Sequence, residues 1–327
     1  MSHRAVTENT QTPAPELGGD ERGWRARLAR FYDSDIFYSF RHTPLVIAAS
    51  LLCLLIVVVA VFAPWLAPTD PYDLKTLNLL DSLLPPIWVE GSDPRFLLGT
   101  DIQGGGILSL IMHGVRVSLT VGVLAVSISV SLGITLGLVS GYVGGRIDAV
   151  IMRVADIQLT FPSLLMALLI GGITDSVMPD QLRAQFAIPV VIFALGISHW
   201  PHFARLVRGA TIVEKKKDYI AAARLIGRSP FAIMFRQVLP NVLNPVLVLA
   251  TLDIAFAVMG EATLSFLGFG VPPTEPSLGT LIRNGYAYLF SGEWWIVIFP
   301  SLILVILVVV VNIIGDWLRD ALNPKLR

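Results

Sequence analysis

Charge is what this 327-residue chain has least of. Asp, Glu, Lys and Arg make up 15% of it, where a soluble domain carries roughly a quarter. With 54% hydrophobic residues and a mean hydropathy of +0.70, a soluble globular protein is excluded and an integral membrane protein is indicated. Cysteine is almost absent too. The one thiol, Cys53, lies within an apolar run, which excludes a disulfide framework and reads as a small apolar side chain rather than a redox or metal group. No Gly-X-X-X-X-Gly-Lys-Ser/Thr loop occurs, so the chain does not bind ATP in the P-loop manner. It also lacks a His/Cys ligand cluster and a Ser/His/Asp set in a soluble domain, so no catalytic residue, metal or cofactor is assigned. His199-Trp200-Pro201-His202 reads as a kinked helix with interfacial aromatics. A formal net charge of zero argues against a nucleic-acid partner.

What is present is a series of long apolar runs. A membrane-spanning helix needs about 20 mainly apolar residues, and six segments qualify: 45–63, 117–139, 149–173, 186–204, 242–263 and 295–316. The predicted fold class is therefore an all-α integral membrane protein of six transmembrane helices, with both termini on one side. The first run follows about 40 polar residues, lacks a small-residue cleavage site and is too long for a signal h-region, so it is expected to be a retained anchor. Placing the N-terminus in the cytoplasm puts 19 of the 24 Lys and Arg residues inside; only Lys75, Arg95, Arg116, Arg183 and Arg283 fall outside. That asymmetry fixes the orientation.

Between the fourth and fifth runs lies a two-helix hairpin, 218–241, on the cytoplasmic side. Its first helix is expected to run to Ile226 and close at Gly227, which can take the left-handed conformation. Ser229 can cap a second helix with Pro230 at its first position. That helix carries Phe231, Ile233, Met234, Phe235 and Val238, too apolar for solvent, and Leu239-Pro240-Asn241 is expected to turn the chain back into the bilayer. An apolar helix in an aqueous loop implies docking on another protein.

The hairpin resembles the cytoplasmic loop of permease subunits of bacterial ATP-binding-cassette importers, where it is the coupling helix seated in a cleft of the ATPase. Ala222, Ala223, Gly227, Leu239 and Pro240 match that family's Glu-Ala-Ala, Gly and Leu-Pro pattern, with Ala221 in place of the glutamate. Residues 261–273 and 315–324 are similar to the end of the fifth span and the C-terminus of the dipeptide and oligopeptide branch, specifically its C-type subunit. The resemblance implies a type I importer permease fold and assigns ATPase coupling to the matched residues together with Ser229, Pro230, Phe231, Met234, Phe235 and Arg236. The implied partners are a homologous second permease, two cytoplasmic ATP-binding subunits that hold ATP and Mg, a periplasmic solute-binding protein and the lipid bilayer of the bacterial inner membrane.

The expected organisation is a cytoplasmic tail over 1–40, with an interfacial helix at 24–38. The first span and a long periplasmic loop follow over 41–116, with Trp65 and Trp88 near the interface. The permease core occupies 117–316, including the hairpin region 205–241, and a short cytoplasmic tail covers 317–327. In the loop, Leu98-Gly-Thr-Asp101 and Gly104 resemble the same branch, but Gly105-Gly106 stand where relatives carry Arg-Asp, and the glycines read as a tight turn. Ionisable residues within spans must face something polar. Arg153 and Asp156, three apart, are expected to pair on one helix face. Asp253 and Glu261, about 80° apart around the fifth span, can both face the bundle interior, and Asp156, Asp253 and Glu261 are candidate pathway-lining groups. The carboxylates by themselves leave open a proton-coupled secondary transporter, or a structural membrane subunit. Within the importer reading, peptides are the expected cargo, with nickel, glutathione and opines as the alternatives.

Overall fold

The computed structural model describes residues 35–71, 77–272 and 274–322. The expected interfacial helix at 24–38 and the charges at Arg4 to Arg30, Lys75, Lys325 and Arg327 lie wholly or largely outside them. A short helix, α1 (Asp35–Arg41), belongs to a separate N-terminal unit. The remainder is helical because a bilayer offers no water to exposed peptide groups, and a helix satisfies them within one segment.

Among the described residues, five helices are long and apolar enough to cross a membrane, six if one bent pair counts as a single span. They are α2 (Pro44–Val61), which leads into the short α3 (Ala63–Leu66), then α4 (Ile107–Val143) and the pair α5 (Gly145–Thr160) and α6 (Ser163–Val177). After these come α7 (Asp180–Glu214), α10 (Leu239–Leu267) and α12 (Trp295–Ala321). Between α7 and α10 lie α8 (Asp218–Leu225) and α9 (Pro230–Ile233), and α11 (Leu278–Tyr286) precedes α12. The expected continuous third span over 149–173 is corrected: α5 and α6 meet at 88°. Phe161 precedes Pro162 and takes an extended backbone (ψ 131°), as a residue before proline is pushed to do.

The centre is the parallel pair α4 and α7. Gly133, Gly137 and Gly141 repeat every four residues along α4. A Cβ on them would lie 2.2 Å from Phe203 Cβ, 2.5 Å from the Ala204 carbonyl and 2.7 Å from Thr211 Cβ. Only glycine permits that approach, and close backbone packing is what joins helices where lipid removes the hydrophobic drive. One core cluster, at the hairpin end, holds Leu138, Phe203, Val207, Ile220, Ile233 and Val238. At the other end Ile107, Leu110, Leu278, Trp295 and Ile296 pack together. The long loop before α4 is pinned there: Trp295 Nε1 donates to the Thr100 carbonyl (3.2 Å), and Thr100 Oγ1 donates to the Asp81 carbonyl (2.6 Å). Its tight turn uses Gly99 and Gly104 at φ +82° and +81°, while Gly105 and Gly106 keep ordinary φ values. Trp65 and Trp88 are exposed.

Candidate functional site

The hairpin forms as a stiff extension of the bundle. Helix α8 ends at Leu225 with Ile226 as its C-cap, and Gly227 takes φ +79°. Its amide donates to the Arg224 carbonyl and the Arg228 amide to that of Ala223, so the left-handed glycine lets two otherwise orphaned carbonyls find donors. Ser229 Oγ then accepts from the Ala232 amide (3.3 Å), with Pro230 at the first position of α9.

Beyond α9 the structure departs from expectation. Leu239-Pro240-Asn241 makes no turn; a π-helical stretch, Met234–Val238, carries α9 straight into α10. Pro240 has no amide to give and its ring would clash with the carbonyl four residues back, and the wider i→i+5 ladder ahead of it accommodates both. Helix α9, the π turn and the fifth span are therefore one 38-residue rod from Pro230 to Leu267.

The π turn also redirects the side chains. Phe231, Met234, Phe235 and Val238 would share one face of an α-helix, yet Met234 and Val238 are buried in the chain's own core beside Ile220 and Phe203. The exposed large aliphatic and phenylalanine side chains of the hairpin are Leu225 (89% exposed), Ile226 (78%), Phe231 (69%) and Phe235 (36%). The two phenylalanine rings stack with centroids 4.5 Å apart. Ala222 and Arg236 are exposed, Ala223 is buried, Leu239 is half-buried and Pro240 is exposed. Leu225 and Ile226 were legible as apolar residues at a helix end, but their exposure depends on how Gly227 aims the chain.

Polar contacts brace the hairpin from beneath. Lys215 Nζ donates to the Gly141 carbonyl at 2.7 Å, at the C-terminus of α4, where a cation is favoured. Asp148 accepts from Arg208 at 2.5 and 2.7 Å and from Ser140 at 2.5 Å. Tyr219 bonds Glu214 and accepts from Asn241 Nδ2 (3.0 Å), tying α8 to the rod. Desolvation, then the Glu214 carboxylate, push its phenol up to about 12, so the hydroxyl stays a donor at neutral pH.

The intramembrane carboxylates fall in three settings. Asp156 does not pair with Arg153; it accepts from Arg205 of α7 at 2.5 Å, with both side chains about half exposed. Crossing helices, rather than neighbours on one helix, set this contact. Gln158, two residues beyond Asp156 on α5, accepts from Trp200 Nε1 (2.7 Å) and donates to the Ile197 carbonyl. Asp253 is 8% exposed and lies 2.6 Å (Oδ1) from His199 Nδ1; its Oδ2 has no partner among the described residues. Glu261 is fully buried, with Ser118 Oγ and Ser265 Oγ each donating to it at 2.6 Å. Those hydroxyls in turn accept from the Leu278 amide (3.2 Å) and the Val271 amide (3.0 Å). Glu261 thus fastens α4, α10, the following loop and α11 together.

Residues 133–327 match the family of binding-protein-dependent transport system inner membrane components, and residues 34–86 match the N-terminal transmembrane domain of oligopeptide transport permease C. The di/tripeptide transport system permease protein DppC of Pseudomonas aeruginosa is 41% identical over 294 residues, covering 90% of this chain and 92% of its own. The dipeptide transport system permease proteins DppC of Escherichia coli K12 (41% identical, 90% and 93% covered) and Haemophilus influenzae (37%, 90% and 95%) align over nearly the same length. In fold, 66% of the chain superposes on 98% of a chain of the MetNI methionine ABC transporter, solved in inward-facing conformations, with a TM-score of 0.52 at 20% identity. The chain therefore belongs to the family of inner membrane components of binding-protein-dependent transport systems, as a permease subunit without an ATPase site of its own.

Proposed function

We propose that the chain is one of two permease subunits of an ATP-driven importer of short peptides in a bacterial inner membrane, with both termini and the hairpin in the cytoplasm. The observation that carries this is the exposure of Leu225, Ile226, Phe231 and Phe235 on a hairpin whose second helix is continuous with the fifth span. Four large apolar side chains exposed beyond the spans, on a hairpin too well braced to fold them inward, form a surface for another protein. Cytoplasmic ATP-binding subunits, holding ATP and Mg, are that partner, and a solute-binding protein delivers peptide at the opposite end. The peptide assignment rests on the relatives named as dipeptide and di/tripeptide permeases.

The geometry supplies a direct mechanical link. When the ATPases close and open, a displacement at Phe231 and Phe235 reaches Asp253 and Glu261 without crossing a flexible loop, because the same rod carries all four. Gly141, Asp148 and Arg208 hold the adjacent ends of α4, α5 and α7 to one another. ATP-driven closure therefore moves spans rather than a loop.

Phe235→Asp places an unpaired charge in the docking surface, which should weaken ATPase binding by about 2–4 kcal/mol while the spans insert normally. Gly227→Val has open space for its side chain but forces a β-branched residue to positive φ, at about 1–2 kcal/mol, and misaims α9. Copurification with the ATPase subunits and peptide uptake in vesicles measure both. Wild-type uptake with the ATPase still bound in both variants would overturn the docking assignment.

A further inference from the structure

At the end of the bundle away from the hairpin lies a cavity of about 390 Å³, within the range of small-ligand sites, roughly 300–1,000 Å³. Thr174, Phe186, Val190 and Phe269 contribute to a mixed polar and apolar wall, and two arginines, Arg183 of α7 and Arg283 of α11, complete it. No carboxylate occurs among the described lining residues.

Arg283 is an exposed side chain at the mouth of the cavity. Its guanidinium lies over Gly268, where a Cβ would stand 2.7 Å from Nη1 and 3.1 Å from Cζ and Nη2. Gly268 closes α10 at φ +93°, so the residue that ends the fifth span also clears the space for the arginine. The backbone around it is held in place. Glu261 holds Ser265, whose hydroxyl accepts from Val271 in the cavity-lining loop, and Ser118, whose hydroxyl accepts from the first amide of α11. A capping box between Ser277 and Thr280 starts that helix. Arg183 is oriented by its Nε bond to the Met178 carbonyl (3.1 Å).

A planar guanidinium beside apolar walls suits an oxyanion attached to a small apolar body. We infer that this cavity receives the transported solute at its free carboxylate, with Arg283 as the anchoring residue and the wall of Phe186, Val190 and Phe269 against its side chains. This deepens, and rests on, the peptide-importer reading above. A phospholipid headgroup offers similar oxyanion chemistry and is separated by the test.

The test uses the assembled permease–ATPase complex without its binding protein, so that delivery imposes no selection. In a Cys53→Ser background, which removes the chain's one native thiol, a Thr174→Cys substitution reports occupancy through protection from a maleimide. A dipeptide free acid should protect at a concentration about tenfold lower than its C-terminal amide, the least expected of a charge-assisted hydrogen bond. Arg283→Gln should abolish the difference, and Arg283→Lys should restore part of it. Gly268→Ala, which displaces the guanidinium while keeping the charge, should act like Arg283→Gln. Equal protection by acid and amide, or an unchanged difference in Arg283→Gln, overturns the inference. So does labelling that responds to removal of anionic phospholipid in an Arg283-dependent way but not to peptide, which assigns the arginine to a headgroup. ATP-dependent dipeptide uptake by the complete transporter, measured separately, tests the importer reading itself.

Discussion

Glu261 shows how much one side chain can hold in place. Ser118 and Ser265 each donate a hydroxyl proton to it and keep a lone pair for the amides of Leu278 and Val271. Glu261→Gln keeps one acceptor oxygen and should cost about 1–3 kcal/mol. Glu261→Ala removes both acceptors and opens a void, and should cost about 2–5 kcal/mol. Thermal unfolding of the purified protein should rank wild type above Gln above Ala, and equal midpoints would show that the network contributes nothing. The sequence marked Glu261 and Asp253 as interior by their place in an apolar run, because a lipid-facing carboxylate is costly. Their partners were invisible, since Ser118 lies 143 residues from Glu261 and His199 lies 54 from Asp253. Arg153 and Asp156 illustrate the converse error: spacing along one helix suggested a pair, and the crossing of α5 with α7 supplied Arg205 instead.

Among the elements, the hairpin was legible where local chemistry decides and illegible where the ladder changes type. Gly227, Ser229 and Pro230 each act through the backbone within a few residues, and all three stand in their expected roles. The face of the second helix was misjudged because an α-helix advances about 100° per residue, whereas the π turn advances less and swings Val238 into the core. The glycine stripe of α4 was on view as a four-residue repeat, though its partners on α7 were not. If Pro240 sets the π turn, Pro240→Ala should let Met234–Val238 close into an α-helix, returning Val238 toward the exposed face and rotating Phe231 and Phe235 against the fifth span. The expected result is a correctly inserted protein whose ATPase affinity falls by about 1–2 kcal/mol, with some apolar core burial lost. An unaltered affinity would mean that the π turn is incidental to docking.

For the molecule as a whole, apolar length identified the spans but not their continuity, which is why the break at Phe161 and Pro162 appears only in the structure. Orientation rests on charge, with 19 of 24 basic residues assigned inside. A cysteine at Lys216 in the Cys53→Ser background should react with an impermeant maleimide only after the cells are opened. Labelling in intact cells would invert the topology and remove the hairpin from the ATPase. Given that topology, the source of energy follows from how the polar interior is occupied. Glu261 is enclosed by serines and bound to structure, whereas Asp253 Oδ2 has no partner among the described residues and its Oδ1 lies beside His199. A carrier driven by protons would have to work through that pair, and its exposed hairpin would then have no task. Proteoliposomes holding the full complex should therefore take up dipeptide with ATP present and no proton gradient, and should take up none with a gradient alone. Asp253→Asn should leave the nucleotide requirement intact whatever it does to rate. Gradient-driven uptake without nucleotide, lost in Asp253→Asn, would move the coupling from the hairpin to the Asp253–His199 pair and overturn the ATP-driven mechanism.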